Sequence, residues 1–450
     1  MTTTQESRAL VVKGEGSHIF LDDNRKLLDA SGGAGVVCIG YGHEKVTNAV
    51  CAQVEHVPYV PSRFFNNSPA TKLTQWIKQR SKGHFVEAYY YCSGSEAMEA
   101  AIKVAYSYHI WKGEPNRKYY ITRKESYHGT TIGSLAISGH LGRRSPFESI
   151  LPPNVYGISA CNSYRHRKQG ETDAEFVSRK VDELEQAFIK LGPHTVAAFI
   201  AEPVVGAASG CLPAVPGYFK AVKEICEKHG ALFIFDEVMC GMGRTGTHHA
   251  WEQEDATPDI QAIGKGLASG YQPISAILLT SKIISMKESK GAIINHGHTF
   301  QDNPVGCAAA LAVQEIIENE RLLPNVKEQG YRLGMLLKKN LGSHPQVGNI
   351  RGRGLFWAVE FVRDKITKEP FDPELQVAYR IRQTAMNPPH NMIVYDGQGC
   401  AGNGMGDHVM IMPAYNTTEE TINSIVGILT NVIHEYFKGL KLPMKLHPKS

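Results

Sequence analysis

No run in this chain approaches the roughly 18–20 consecutive apolar residues that span a bilayer. A strong charge of one sign is missing too. The 48 basic and 44 acidic residues leave a net charge of +4, too mild to point to nucleic acid or a membrane surface. Cysteines number nine, are scattered, and show no C-x-x-C spacing, which reads as reduced thiols rather than a disulfide framework or a zinc site. There is no internal repeat and no low-complexity tract. The opening residues Met1 to Arg8 hold no apolar core for secretion and include the acid Glu6, and the final Pro448-Lys449-Ser450 is not a peroxisomal signal. Cytoplasm is the expected compartment.

Several motifs also lack what their chemistry needs. The histidine pairs His248/His249 and His296/His298 stand in neither H-x-x-x-H nor H-E-x-x-H, so they are expected to be polar loop residues, and no metal site is expected. Gly241, Gly243 and Gly246 spell G-x-G-x-x-G after an apolar run. No amphipathic helical pattern follows before Pro258, so a pyrophosphate would find no helix N-terminus, and a dinucleotide site is excluded. The basic run Arg165 to Lys168 is short, followed by Glu171, Asp173 and Glu175, and reads as a solvated loop leading into a helix near 174–190.

What is present is an ordinary globular composition, 42% hydrophobic and 20% charged over 450 residues, long enough for two packed domains. A hairpin-like start at 17–28 and a helix near 44–56 come first. Strand-like runs at 87–92, 117–122, 196–202, 231–236 and 274–280 then alternate with helical stretches near 97–111, 174–190 and 217–229. That alternation predicts an α/β fold with a mostly parallel sheet covered on both faces, whose ligand lies at the carboxyl ends of the strands. A long helix over 304–340, broken near Pro324, leads to strands at 354–361 and 408–412 and a closing helix at 418–437. The glycine-rich stretch 397–406 reads as a loop near the site. The expected division is an N-terminal segment 1–55, a large domain 56–325 and a C-terminal portion 326–450, the two ends forming one smaller α+β domain.

Two residues 29 positions apart carry the strongest chemical signal. Asp236 ends the buried run that starts at Ala231, and Lys265 sits between Gly264 and Gly266, where the backbone can approach a ligand closely. A lysine amine can condense with an aldehyde, and a carboxylate at a strand end can hold a pyridine nitrogen protonated so that the ring accepts electrons. Both are what pyridoxal 5'-phosphate requires. Ser93 and Glu96 form an S-x-x-E capping box after the strand at 87–92, so a helix should open there with free N–H groups. Gly94 allows close approach of a phosphate, and Ser95 can add a hydroxyl.

The motifs, in order, are Ser93-Gly94-Ser95-Glu96-Ala97, Tyr127-His128-Gly129, Ala201-Glu202-Pro203-Val204, Asp236-Glu237-Val238, the glycine-flanked Arg244, Gly264-Lys265-Gly266 and Gly297-His298-Thr299-Phe300. With Gly40-Tyr41-Gly42 before them and Arg351 to Phe356 after, they resemble the class III aminotransferases of the fold type I pyridoxal phosphate family along nearly the whole chain. The resemblance implies an aminotransferase that moves an amino group from an amine or amino acid donor to a keto acid or aldehyde in two half-reactions. Relatives with the same motifs decarboxylate, racemise or shift an amine within one molecule, and a non-catalytic binding protein on this fold is a remote alternative. Lys265 would be the catalytic lysine that holds the cofactor, Asp236 would face its ring nitrogen, and Tyr127 and Val238 would cover the two ring faces. Gly94 and Ser95 would hold the phosphate, His128 and Glu202 would lie near the ring, and Thr299 would reach the partner subunit's cofactor in a homodimer, with a tetramer possible. Tyr59 to Phe65 would share that interface. Many relatives bind a substrate carboxylate through an arginine at the position of Asn403. The resemblance therefore implies weakened dependence on an α-carboxylate in at least one substrate, with another arginine such as Arg63 or Arg353 taking the carboxylate as the alternative. Gly35 stands where relatives have a bulky aromatic, which implies a roomier site.

Overall fold

The computed structural model describes residues 9–440, so the readings of residues 1–8 and 441–450 lie outside the described residues. The centre is a seven-stranded sheet. In chain order its strands are β1 (Phe85–Tyr91), β2 (Tyr119–Arg123), β3 (Val155–Ile158), β4 (Val196–Ala201), β5 (Leu232–Asp236), β6 (Ile260–Ile263) and β7 (Ser275–Thr280). They lie side by side as β1-β7-β6-β5-β4-β2-β3, and all neighbours pair in parallel except β7, which runs antiparallel to both β6 and β1. Every residue of β4 and β5 is buried, which is why both read as continuous apolar runs rather than alternating ones.

Two helical layers hide the faces. Helix α1 (Gly94–Lys112) lays Ala97, Ala101 and Val104 against Ile234, Ala262 and Ile277. On the other face the helices Asp173–Leu191 and Tyr218–Lys228 bury Phe176, Phe188 and Phe219 among Phe199, Phe233 and Phe235. Burying each such aromatic contributes about 1.5–3 kcal/mol, so this face anchors the strands that carry Glu202 and Asp236.

Both chain ends build the rest. Strands Val11–Glu15, His18–Leu21 and Lys26–Asp29 form a small sheet that gains Met392–Ile393 from the C-terminal part. A four-stranded antiparallel sheet (Val347–Arg353, Phe356–Phe361, Met405–Ile411, Tyr395–Gly402) packs under the helix Glu419–Gly439. The helix expected over 304–340 is two helices, Pro304–Asn319 and Leu322–Leu341. The break is at Arg321, in the left-handed region at φ 53°, and not at Pro324. Pro324 stands in the first turn of the second helix, where its missing N–H costs no hydrogen bond. That helix crosses the expected boundary between 325 and 326.

The expected loop over 397–406 is instead a β-hairpin. Its turn residues Asn403 and Gly404 both have positive φ, 52° and 76°, the conformation that favours an Asn-Gly pair at a two-residue turn. No helix among the described residues is long and apolar enough to cross a membrane.

Candidate active site

The carboxyl ends of β1, β4 and β5 converge on a cavity of about 340 Å³. Its wall includes Ser93, Gly94, Ser95, Tyr127, His128, Glu202, Asp236, Val238 and Lys265. Seven of those positions reach it from strand ends or the turns just beyond, where parallel sheets open to ligands.

At the β1 end, Ser93 caps α1. The Glu96 amide donates to Ser93 Oγ (3.3 Å), and Glu96 Oε2 accepts from the amides of Cys92 (2.8 Å) and Ser93 (2.9 Å). The cap consumes the Cys92 and Ser93 amides and leaves the next ones of the helix start facing the cavity. Gly94 has no room for a side chain, since a Cβ there would lie 2.7 Å from Val238 Cγ1. Ser95 Oγ accepts from the Thr130 amide at 3.1 Å, which ties the start of α1 to the loop after Tyr127.

Asp236 is buried at the end of β5. One carboxylate oxygen meets His128 Nδ1 at 2.7 Å, and the other accepts the Val238 amide at 3.0 Å. The second bond turns the chain after β5, so Val238 enters the cavity from a turn. The strand stops at Asp236 and does not carry Val238 on a shared face, as its offset of two had suggested. Glu202, just past β4, accepts from the amides of Tyr127 (3.1 Å) and Gly206 (2.8 Å). Burial pushes its carboxyl above the usual range, and neighbouring Asp236 pushes the same way against His128 and the two amides.

Lys265 follows β6 at φ 45° and reaches into the same space. Its amine makes no hydrogen bond or ion pair among the described residues, although Asp236 and Glu202 favour its charge. Burial outweighs both and brings the amine down to about 8. An amine this close to neutral pH is a usable nucleophile.

These residues fit pyridoxal phosphate on observations of the protein itself. The cavity holds a free amine, a buried carboxylate, a buried His128 Nε2 without a partner, and a helix start whose glycine a Cβ would block. Beyond geometry, the sequence profile of the family described as aminotransferase class-III matches residues 2–433. This chain belongs to the class III aminotransferases. An aminotransferase from Gibberella zeae is 44% identical over 93% of this chain and 82% of its own length. An uncharacterized aminotransferase from Schizosaccharomyces pombe is 44% identical over 94% of this chain and 92% of its own. Among solved structures, the omega transaminase of Pseudomonas jessenii in complex with PMP superposes with a TM-score of 0.89, at 29% identity, over 96% of this chain and 93% of that one. The protein is therefore a pyridoxal phosphate-dependent aminotransferase of fold type I.

Of the residues given a catalytic or cofactor-holding role from sequence, all but Thr299 line the cavity. Thr299 is exposed. Asn403, Arg63 and Arg353 do not line it either. Arg353 is paired with Glu254 at 2.5 Å, and Asn403 borders a separate pocket with Glu125 and His140. Other expectations fail for long-range reasons. His249 is fully buried and stacked on Trp251, not a polar loop residue. Arg165 is not solvated, because it reaches buried Glu360. The Gly241–Gly246 segment seats Arg244, which donates to the carbonyls of Pro413 (2.6 Å) and Leu355 (3.2 Å) and so ties the large part of the chain to the small one.

Among the described residues, the nearest approach to a metal cluster is Cys92, Glu96 and His298, whose donor atoms lie within 4.8 Å of one another. His298 Nδ1 accepts the Phe300 amide at 3.1 Å, so the neutral ring carries its proton on Nε2, the nitrogen that faces Glu96. Sequence reasoning missed Met239, Ala207 and the Gln272–Ile274 turn as lining residues. No local pattern marks Met239 or Ala207, whereas their position just after Asp236 and Glu202 does.

Proposed function

We propose that Lys265 is the catalytic lysine, that Asp236, Glu202, His128, Tyr127 and Val238 surround the cofactor ring, and that Gly94 and Ser95 hold its phosphate. The observation behind this reading is the unpartnered Lys265 amine in a cavity whose floor carries Asp236, Glu202 and His128. When bound, pyridoxal phosphate supplies an aldehyde for the amine and a ring that takes up the electron pair released from the substrate.

This chain's residues do the rest. Asp236, held by the Val238 amide and His128, would face the ring nitrogen and hold a proton on it. His128 orients that carboxylate. Tyr127 and Val238 would cover the two faces of the ring and so orient a bound substrate relative to the Lys265 amine. Lys265 would hold the cofactor through its amine and, when free of it, would move a proton as base and then as acid. The helix start at Gly94 and Ser95 offers N–H groups and a positive dipole end to the phosphate.

The substrate reading rests on Gly35, which packs beside Met239 of the cavity wall. A Cβ at Gly35 would stand 3.3 Å from Met412 Sδ and 3.6 Å from Met239 Cε, so two flexible thioethers border the place of the relatives' aromatic. That supports a site that adapts to larger amines. We further propose a homodimer. Tyr59, Phe64, Phe65, Ile293 and Phe300 are exposed, Tyr59 lies edge-on to Phe300, and Thr299 sits among them. The small domain in this reading comprises the ends flanking 56–325, and the nine free cysteines favour the cytoplasm.

The deciding experiment is Asp236→Asn. It should still bind cofactor while transfer from an amine to a keto acid falls roughly a hundredfold or more. Full activity across a pH series would remove the carboxylate from its role. Sedimentation at assay concentration tests the assembly, and an active monomer would end that part of the reading.

A further inference from the structure

The arginines withdrawn from water are of two kinds. Arg117 is paired with Glu114, and Arg165 and Arg351 share Glu360. Arg123 and Arg244 have no carboxylate partner among the described residues, although both are almost fully buried. Arg123 lies against Tyr218 and Phe219, on the aromatic face of the sheet. Arg244 lies elsewhere. Its guanidinium donates to the backbone carbonyls of Pro413 at 2.6 Å, Leu355 at 3.2 Å and Gly35 at 3.4 Å, and its Nε has no partner among the described residues. Burying a charge without a counter-charge destabilises a fold. The neighbours of Arg244 supply a reason to keep it.

The guanidinium carbon stands 4.7 Å from the ring centroid of Tyr415. The hydroxyl of that ring donates to the Met242 carbonyl at 3.0 Å, and a Cβ on Gly266 would lie 3.2 Å from it. Gly266 follows Lys265 directly, so one aromatic ring separates the guanidinium from the turn that carries the amine. Burial acts most strongly on that amine. Of the charged groups that act on it, Asp236 at the end of β5 and Glu202 beyond β4 favour the ammonium, with Cys240 in the same sense, and Arg244 opposes it. The other titratable neighbours are neutral or already engaged. Cys38, which meets the Gly266 carbonyl at 3.4 Å, Tyr127 and Tyr415 are held protonated by burial, and His128 is bonded to Asp236.

We infer that Arg244 is a positioning residue for Lys265: it keeps a fixed positive charge behind the amine and ties the segments of Gly35, Leu355 and Pro413 to the turn that carries it. The inference rests on the reading of Lys265 as the catalytic lysine. Arg244 lies outside the cavity wall and so touches neither reactant. A guanidinium keeps its charge at every pH the protein meets, so it opposes protonation of the amine wherever the amine could take a proton. The three carbonyls and the Tyr415 ring stabilise that charge without neutralising it, as a carboxylate would. The free amine is the form that attacks an aldehyde.

Acetic anhydride acylates only unprotonated amines. Added in trace amount beside a reference amine to the full chain freed of cofactor, it reads the midpoint of the Lys265 amine by mass spectrometry of that peptide across a pH series. Wild type should show a midpoint of about 8. Arg244→Gln should raise it by about 0.5–1 pH unit, so that labelling near neutral pH falls about threefold to tenfold. Arg244→Lys, which keeps the charge but not the three carbonyl bonds, should melt earlier yet stay within about 0.2 unit of wild type. Arg244→Met fills the same space without charge, a replacement that buried sites often tolerate, and should match Arg244→Gln. A midpoint that the neutral variants leave unchanged, or that Arg244→Lys raises as far as Arg244→Gln does, would overturn the inference. So would a protein that folds only with a cation at this position, because the charge would then serve the fold and not the amine. If Lys265→Ala transferred amino groups normally, the catalytic reading of Lys265 would fail, and the labelling would still decide whether Arg244 acts on its amine.

Discussion

Glu360 and Lys265 are both charges withdrawn from water, and the chain treats them in opposite ways. Glu360 is fully buried in the small sheet, where it accepts Arg165 Nε at 2.7 Å and also pairs with Arg351. Arg351 in turn donates to the Gly210 carbonyl at 2.8 Å and to the Ser209 carbonyl. Each group in that cluster has partners, as burial of charge demands. In the cavity, by contrast, neither the Lys265 amine nor His128 Nε2 has a hydrogen bond among the described residues, and the carboxyl of Glu202 is pushed upward by burial. A satisfied cluster holds the molecule together. An unsatisfied one is completed by what binds there, and the desolvation it bears shows as shifted ionisation.

Removing the central group of each cluster should therefore do different damage. Lys265→Ala is expected to cost at least about ten-thousandfold in transfer rate while the cofactor-free protein melts no earlier than wild type, since a desolvated amine is removed. Rates from a standard donor and acceptor pair and a thermal scan check this, and normal turnover would break the comparison at its centre. Glu360→Ala should do the reverse. It strands two buried guanidinium groups, so unfolding free energy should fall by about 3–5 kcal/mol, read from the denaturant midpoint, with kcat of the folded fraction little changed.

How much of this contrast the sequence reveals depends on how local each signal is. Asp236 at the end of β5, Lys265 between glycines and the Ser93–Glu96 cap are each decided within a few residues, so their part of the site is legible. The structural cluster is not. Arg165 lies 195 positions from Glu360, and nothing near either residue announces the other. His249 likewise looks polar until Phe85 and Trp251 close around it. Strands β3 and β6, four residues each, are too short to show a period. The hairpin at 395–411 was within reach, because Asn403-Gly404 is a strong turn signal that the surrounding glycines obscured.

The pH dependence of Lys265 sharpens the electrostatic half of the comparison. The reactive form is the neutral amine, and burial brings its ionisation down to about 8. Covalent capture of pyridoxal phosphate by the cofactor-free protein should accelerate as pH rises from 6 and level off above about 8. An exposed lysine would keep accelerating to about 10.4. A rate still climbing at pH 10 would show that the amine is not desolvated in the way its surroundings imply.

The smallest effect belongs to Asn403→Arg. The position matches that of a carboxylate-binding arginine in many relatives, yet here it sits at a hairpin turn beside Glu125, Gly139, His140 and Leu141, outside the wall of the Lys265 cavity. An arginine introduced there meets Glu125 before any substrate. The ratio of kcat/KM for pyruvate over propanal should change less than about threefold. Stability should fall by about 1 kcal/mol, because Asn403 holds φ 52° and arginine tolerates the left-handed region less well. A gain of tenfold or more in the ratio would mean that the hairpin tip reaches the substrate during turnover, and the line between the structural and the catalytic charges would then have to include the hairpin.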